Sequence, residues 1–193
     1  MAELRSFFEL LGMLVTDPRT GVLLALLAAA AITDYRTFRI PNILTGGGIL
    51  FALVYNAIVA PEWRADWTWA PLGMLLGFFA LLPMYAIRAM GAGDVKLMAM
   101  VGAFLGVTGT MYALLFSIVT GGIAAIAFAM HKRVMGRMLA NAGDVMRGMM
   151  WSSVATGNPQ LQAGAASVGR LAYGISIAVG TACSLVARQF NLV

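Results

Sequence analysis

Charge is what this sequence has least of: of 193 residues, 11% are Asp, Glu, Lys or Arg, against roughly 25% in soluble globular domains. Water is therefore not the main solvent for this fold. The one cysteine, Cys183, lies in an apolar run near the C-terminus, which excludes an internal disulfide and any Cys-x-x-Cys zinc or redox centre. It reads as a small apolar helix residue. The one histidine, His131, has no second His or Cys beside it to build a metal site and reads as a boundary residue. A basic stripe interleaved with aromatics on a polar domain is also missing, so the net charge of +5 does not point to nucleic acid. Neither an internal repeat nor a low-complexity tract stands out.

What is present is apolar: 61% of the residues are hydrophobic and the mean hydropathy is +0.85. A transmembrane helix needs about 20 apolar residues to cross a core of roughly 30 Å, so the chain has room for about six spans joined by short loops. The expectation is an all-α, polytopic membrane protein forming one integral membrane domain over residues 1–193. Within it, 1–18 reads as an interfacial helix, with Glu3, Arg5 and Glu9 set among apolar residues in a run too short to span. That run lacks the basic start and small-residue cleavage site of a removable signal peptide. Residues 19–130 hold five spans, about Gly21–Asp34, Ile43–Ala60, Pro71–Ala89, a short Val95–Gly106 and Met111–Met130, the last two separated by a very tight loop. Trp63, Trp67 and Trp69 mark a membrane boundary between the second and third. Residues 131–169, where Lys132, Arg133, Arg137 and Arg147 alternate with apolar residues at helical spacing, read as an amphipathic helix on the cytoplasmic surface. Residues 170–193 hold the sixth span.

Charge asymmetry orients this arrangement. With the N-terminus outside, the cytoplasmic segments hold nine Lys and Arg against three Asp, a net +6, and the outer segments four Arg against five acids, a net −1. An N-out, C-out chain follows, with Asp34 and Asp94 at one cytoplasmic boundary.

A carboxylate at the end of an apolar span is costly to desolvate, so it faces a wet cavity, finds a partner or does chemistry. Two carboxyls a few ångströms apart do not both ionise easily, and the pair titrates as a unit. Such a dyad can activate water and protonate a departing amine, without metal, cofactor or covalent intermediate. Gly91-Ala92-Gly93-Asp94 has two readings on spacing alone. In one, the glycines let a substrate strand pass close to the main chain and the helix start favours an anion. In the other, it is a loop followed by a capping Asp. Asp34 likewise has an alternative as a helix-end charge paired with Arg36 or Arg39. A proton-relay or transporter subunit using the same aspartates is the rival from another class; it requires carboxylates near mid-bilayer and paired broken helices.

Gly91-Ala92-Gly93-Asp94-Val95-Lys96-Leu97 resembles the Gly-x-Gly-Asp-x-Lys-Leu motif of the type IV prepilin peptidases, relatives of the presenilin-like Gly-x-Gly-Asp aspartyl proteases. Asp34-Tyr35-Arg36-Thr37-Phe38-Arg39-Ile40-Pro41-Asn42 is similar to the same family's other motif, an Asp followed at fixed distance by Ile-Pro-Asn. The resemblance covers about residues 20–130. Arg170-Leu171-Ala172-Tyr173-Gly174 is similar to a Pro-Tyr-Gly element of the family, with Ala172 in place of proline.

This resemblance implies Asp34 and Asp94 as catalytic residues, with Gly91, Gly93, Lys96, Pro41 and Asn42 shaping the site and Arg36, Tyr173 and Gly174 as possible substrate contacts. Lys96 has two readings, one as a residue tuning the dyad or orienting substrate, the other as a boundary lysine snorkelling to lipid headgroups. Asn141-Ala142-Gly143-Asp144 echoes the motif, but Asp144 reads as a surface charge paired along its helix with Arg147. The implied activity is metal-free removal of the short basic leader of prepilins at the cytoplasmic face of the bacterial inner membrane. Larger members also methylate the new N-terminus through an added region with paired cysteines, which has no counterpart here. The chain looks like the short, peptidase-only form of Flp/Tad-type pili, with a prepilin and membrane lipid as its partners.

Overall fold

The computed structural model describes residues 12, 18–59, 68–86, 90–131 and 173–190. Five helices account for them: α1 (Pro18–Thr37), α2 (Asn42–Val59), α3 (Trp69–Ala86), α4 (Ala92–His131) and α5 (Tyr173–Gln189). The expected interfacial helix, most of the tryptophan loop and the amphipathic helix of 131–169 with Asp144 lie outside the described residues. The chain divides into two compact units, Met1–Gly121 with Ala172–Val193, and Gly122–Leu171. Of the second, the described part is the last turns of α4; both motif aspartates belong to the first.

Proline and a left-handed residue set the helix ends near the site. Pro18 opens α1, where its missing N–H costs nothing. The same helix runs to Thr37, three residues past the expected end of the first span. Phe38 then adopts a positive φ of 50°, and its N–H donates to the Asp34 carbonyl at 2.8 Å, the single bond that closes a helix through a left-handed residue. Pro41 accepts the first bonds of α2, from the N–H groups of Leu44 at 3.1 Å and Thr45 at 3.3 Å.

Helix α4 is two limbs rather than one rod. Its Gly106 has φ 68° and ψ −175°, a conformation open to glycine almost alone. The limbs run in opposite directions: Gly93 on the first and Gly174 of α5 both lie against Ile40, while Gly121 on the second lies against Tyr173. In an unbroken helix, residues 93 and 121 would stand about 42 Å apart at 1.5 Å per residue. The tight loop expected over 107–110 is thus reduced to one glycine. Thr110 hydrogen-bonds back to the Gly106 carbonyl at 2.5 Å, supplying a partner where the helical ladder is interrupted.

Glycines set the contacts between helices. A Cβ added at Gly73 of α3 would overlap the Gly102 carbonyl, one at Gly77 would overlap the Met98 carbonyl, and one at Gly106 would enter the Trp69 ring. These pairs run antiparallel and bring backbones together, the way helices associate where lipid removes the hydrophobic drive. Gly180 of α5 meets Ser117 in the same fashion, and Thr120 hydrogen-bonds across to the Ser176 carbonyl at 2.9 Å. Inside lie Leu23, Leu27, Leu97, Met98, Met100, Phe104 and Ile177, all at most 2% exposed.

Outward faces carry large apolar side chains on every helix, among them Ile32, Ile43, Ile58, Phe79, Leu115, Ile123 and Val179. In water such faces would be a liability; against acyl chains they cost nothing. Two helices among the described residues are long and apolar enough to cross a membrane, Trp69–Ala86 and Ala92–Phe128, with Asn42–Ile58 a shorter apolar helix. This is fewer than the six spans expected. Helix α1 carries Arg19, Asp34 and Arg36, α5 is 17 residues long with Ser and Thr inside it, and two expected spans are the limbs of α4.

Candidate active site

The buried residues of α1, namely Arg19, Leu23, Leu27, Ala30 and Asp34, recur every three or four positions. That is one face of a helix, and Asp34 is its last member, a carboxyl carried inward by the stripe that packs the helix. It is 6% exposed. Its Oδ2 accepts the backbone N–H of Gly174 at 2.8 Å, donated from the first turn of α5. Such amides have no partner within their own helix, and the helix dipole favours negative charge there.

Asp94 comes from the first turn of α4 and is 8% exposed. Its Oδ2 accepts the Gly91 N–H at 3.1 Å, and its own N–H donates to the Gly91 carbonyl at 3.1 Å. This is the third-position carboxylate of a capping box, reaching back to satisfy the residue that starts the helix. The capping role expected as an alternative is therefore present, three residues from the simple N-cap position. It does not remove the carboxyl from the site, because the Asp34 carboxylate is near enough for its charge to act on Asp94.

Ile40 holds the two halves in register. A Cβ on Gly93 would lie 3.2 Å from the Ile40 Cβ, and one on Gly174 would lie 3.1 Å from the Ile40 Cδ1 and 2.7 Å from the Asp34 carboxylate. Glycine at both positions is what admits this side chain beside the two aspartates. Tyr173 is half-buried, close enough to feel the charge of Asp94, and its hydroxyl lies against Gly121.

Of the residues singled out in the sequence, Asp34, Asp94, Gly91, Gly93, Tyr173 and Gly174 meet at this end of the bundle. Asn42 and Lys96 bond each other, Nζ to Oδ1 at 2.9 Å, and so tie the Ile-Pro-Asn segment to the Gly-x-Gly-Asp segment. Lys96 does not face Asp94: two positions along a helix is a rotation of about 200°. Pro41 acts through the start of α2. Arg36 and Arg39 are exposed, and the partner Asp34 finds is the Gly174 amide rather than either guanidinium. Ile40 and Gly121 were not singled out. Ile40 carried a signal, as the first residue of the Ile-Pro-Asn motif, whereas nothing in the sequence ties Gly121 to Tyr173. Among the described residues no group of three or more His, Cys, Asp or Glu is placed to hold a metal ion.

The arrangement is two buried carboxyls, each oriented by a backbone amide and within electrostatic reach of the other, on helices 60 residues apart in sequence. The model of the type IV leader peptidase family matches residues 21–126, a stretch that contains both aspartates. The chain is also similar to a prepilin leader peptidase/N-methyltransferase of Bacillus subtilis (strain 168), 31% identical over 121 residues, which is 60% of this chain and 46% of that relative. It thus spans about half the length of the curated relative it matches. No solved structure matches it. The chain belongs to the type IV leader peptidase family.

Proposed function

We infer that this chain is a membrane aspartyl endopeptidase that removes the short basic leader of type IV, Flp-like prepilins, with Asp34 and Asp94 as its catalytic pair. The observation that carries this reading is the meeting of the two motif carboxyls, buried and amide-held, at one end of the bundle. Their place at helix ends, Asp34 in the last turn of α1 and Asp94 in the first turn of α4, favours it over a proton relay, which needs carboxylates at mid-bilayer.

In this reading one carboxyl is ionised and the other protonated. The ionised carboxylate takes a proton from water as the water oxygen attacks the carbonyl carbon of the scissile peptide, and the protonated carboxyl hydrogen-bonds to the carbonyl oxygen. The tetrahedral intermediate collapses when the departing nitrogen receives a proton, which breaks the C–N bond and leaves a leader acid and a new amine. The Gly174 and Gly91 amides hold the carboxyls in place, so that little orientational freedom is lost in the transition state.

The reading includes six spans with both termini outside and the aspartates at the cytoplasmic face of a bacterial inner membrane, supported by the excess of Lys and Arg on that side. Methyl transfer is no part of this reading, which follows the resemblance to the short, peptidase-only form. The test mixes membranes holding this chain with a candidate prepilin and follows leader loss on a gel. Wild type is expected to shorten the prepilin, whereas Asp34→Asn and Asp94→Asn, inserted in membranes to the same level, leave it full length. Intact cleavage by either folded variant sinks the proposal.

A further inference from the structure

A slot of about 330 Å³ opens between α2, α3 and the first limb of α4, walled by Ile49, Met74, Leu75 and Phe78 and ended by Asn42 and Lys96. Lys96 is exposed. The hydrogen bond to Asn42 uses one of its three ammonium protons, and among the described residues no carboxylate pairs with it. An apolar slot closed at one end by a free cation, on a helix face that bears outward apolar residues, matches a molecule with an acyl chain and an anionic head.

We propose that this slot seats an anionic phospholipid, one acyl chain between α2 and α3 and its phosphate on the Lys96 ammonium and the Asn42 amide. Direction favours lipid over a substrate peptide. Lys96 and Ala99, which line it, stand on a different side of the α4 limb from Asp94, so its occupant does not lie along the line to the two carboxyls. The phosphate would instead sit across the Asn42–Lys96 bond and bind together the first turns of α2 and α4. This seat is independent of any peptidase activity.

The test reconstitutes the full chain in nanodiscs of equal parts phosphatidylglycerol and phosphatidylcholine, transfers it to detergent and counts retained lipids by native mass spectrometry. Wild type is expected to keep one phosphatidylglycerol with about a five-fold preference over phosphatidylcholine, the scale of one lysine at a membrane surface. Lys96→Gln is expected to keep a lipid but lose the preference, and Lys96→Arg to retain it. Gly46→Leu, which puts a branched side chain into the slot wall where a Cβ meets nothing within 4 Å, is expected to lose the retained lipid altogether. The proposal is overturned if wild type shows no preference, if the preference survives Lys96→Gln, or if Gly46→Leu retains lipid as wild type does. Inorganic phosphate that abolishes the preference would make this a soluble-anion site, and displacement of the lipid by a prepilin peptide would make it a substrate site. Either result also overturns it.

Discussion

Glycines crowd both ends of the bundle, but what they face differs. At the Trp69 end, Gly73, Gly102 and Gly106 face backbone atoms and a tryptophan ring, and Arg19 stacks over the same ring at 4.9 Å. At the aspartate end, Gly174 faces the tip of Asp34 and the terminal carbon of Ile40, and Gly93 faces Ile40 alone. Backbone cannot yield to an added methyl, whereas a carboxylate can rotate away. The first set of glycines therefore fixes the distance between helices, and the second fixes where a carboxyl points. The same residue type serves stability at one end and, in the proposed function, chemistry at the other.

Substitutions at the two ends should separate accordingly. The largest effect expected is from Asp94→Asn, which lowers the rate of leader removal on the order of 10³-fold, within the range for loss of a positioned acid or base, while thermal unfolding in detergent stays at or above the wild-type midpoint. Gly102→Ala should do the opposite. It destabilises the bundle by about 3 kcal/mol, the upper range of overpacking where nothing can move, and leaves cleavage per folded molecule unchanged. Gly174→Ala sharpens the contrast, because the same methyl pushes the Asp34 carboxylate off its amide. A hydrogen bond to a charged group is worth about 1.5–3 kcal/mol of stability, so the unfolding midpoint should drop, and cleavage per folded molecule should fall as well, roughly 30-fold, because the displaced carboxyl no longer holds its orientation. Cleavage per folded molecule that stays unchanged in Gly174→Ala, as in Gly102→Ala, would erase the distinction.

Two smaller effects test the connection between α1 and α2 at the aspartate end. Asn42→Ala removes the exposed hydrogen bond to Lys96 and should cost about 0.5–1 kcal/mol of stability, read as a small drop in midpoint. Phe38→Gly relieves a non-glycine residue held at φ 50°. It should raise stability by up to about 1 kcal/mol, unless the added freedom of glycine in the unfolded chain offsets the gain.

Much of this was legible in the sequence because it rests on local signals. Apolar runs placed α1, α2, α3 and α5 to within about three residues at each end. The reversal in α4 was placed near Gly106, but as a loop, since spacing does not reveal that one glycine with φ 68° turns the chain. Both aspartates were legible through their motifs and their position at the ends of apolar runs. What held them was not. Gly174 reaches Asp34 through a backbone amide 140 residues away, a contact that no side-chain pattern records. The link from Lys96 to Asn42 crosses 54 residues and turns a lysine that reads as a neighbour of Asp94 toward another helix. Ile40 looked like part of a motif and proves to be a spacer fitted against two glycines.

The first limb of α4, residues 92–105, has a length that matters beyond packing. Fourteen residues at 1.5 Å make about 21 Å, some 9 Å less than a typical hydrocarbon core. In the proposed six-span arrangement, a limb this short forces the bilayer beside it to thin or headgroups and water to descend to meet it. Asp94 stands at its first turn, so in the proposed orientation hydrolytic water reaches the carboxyl pair from a local dimple in the membrane surface, and the thickness of the host bilayer becomes part of the site.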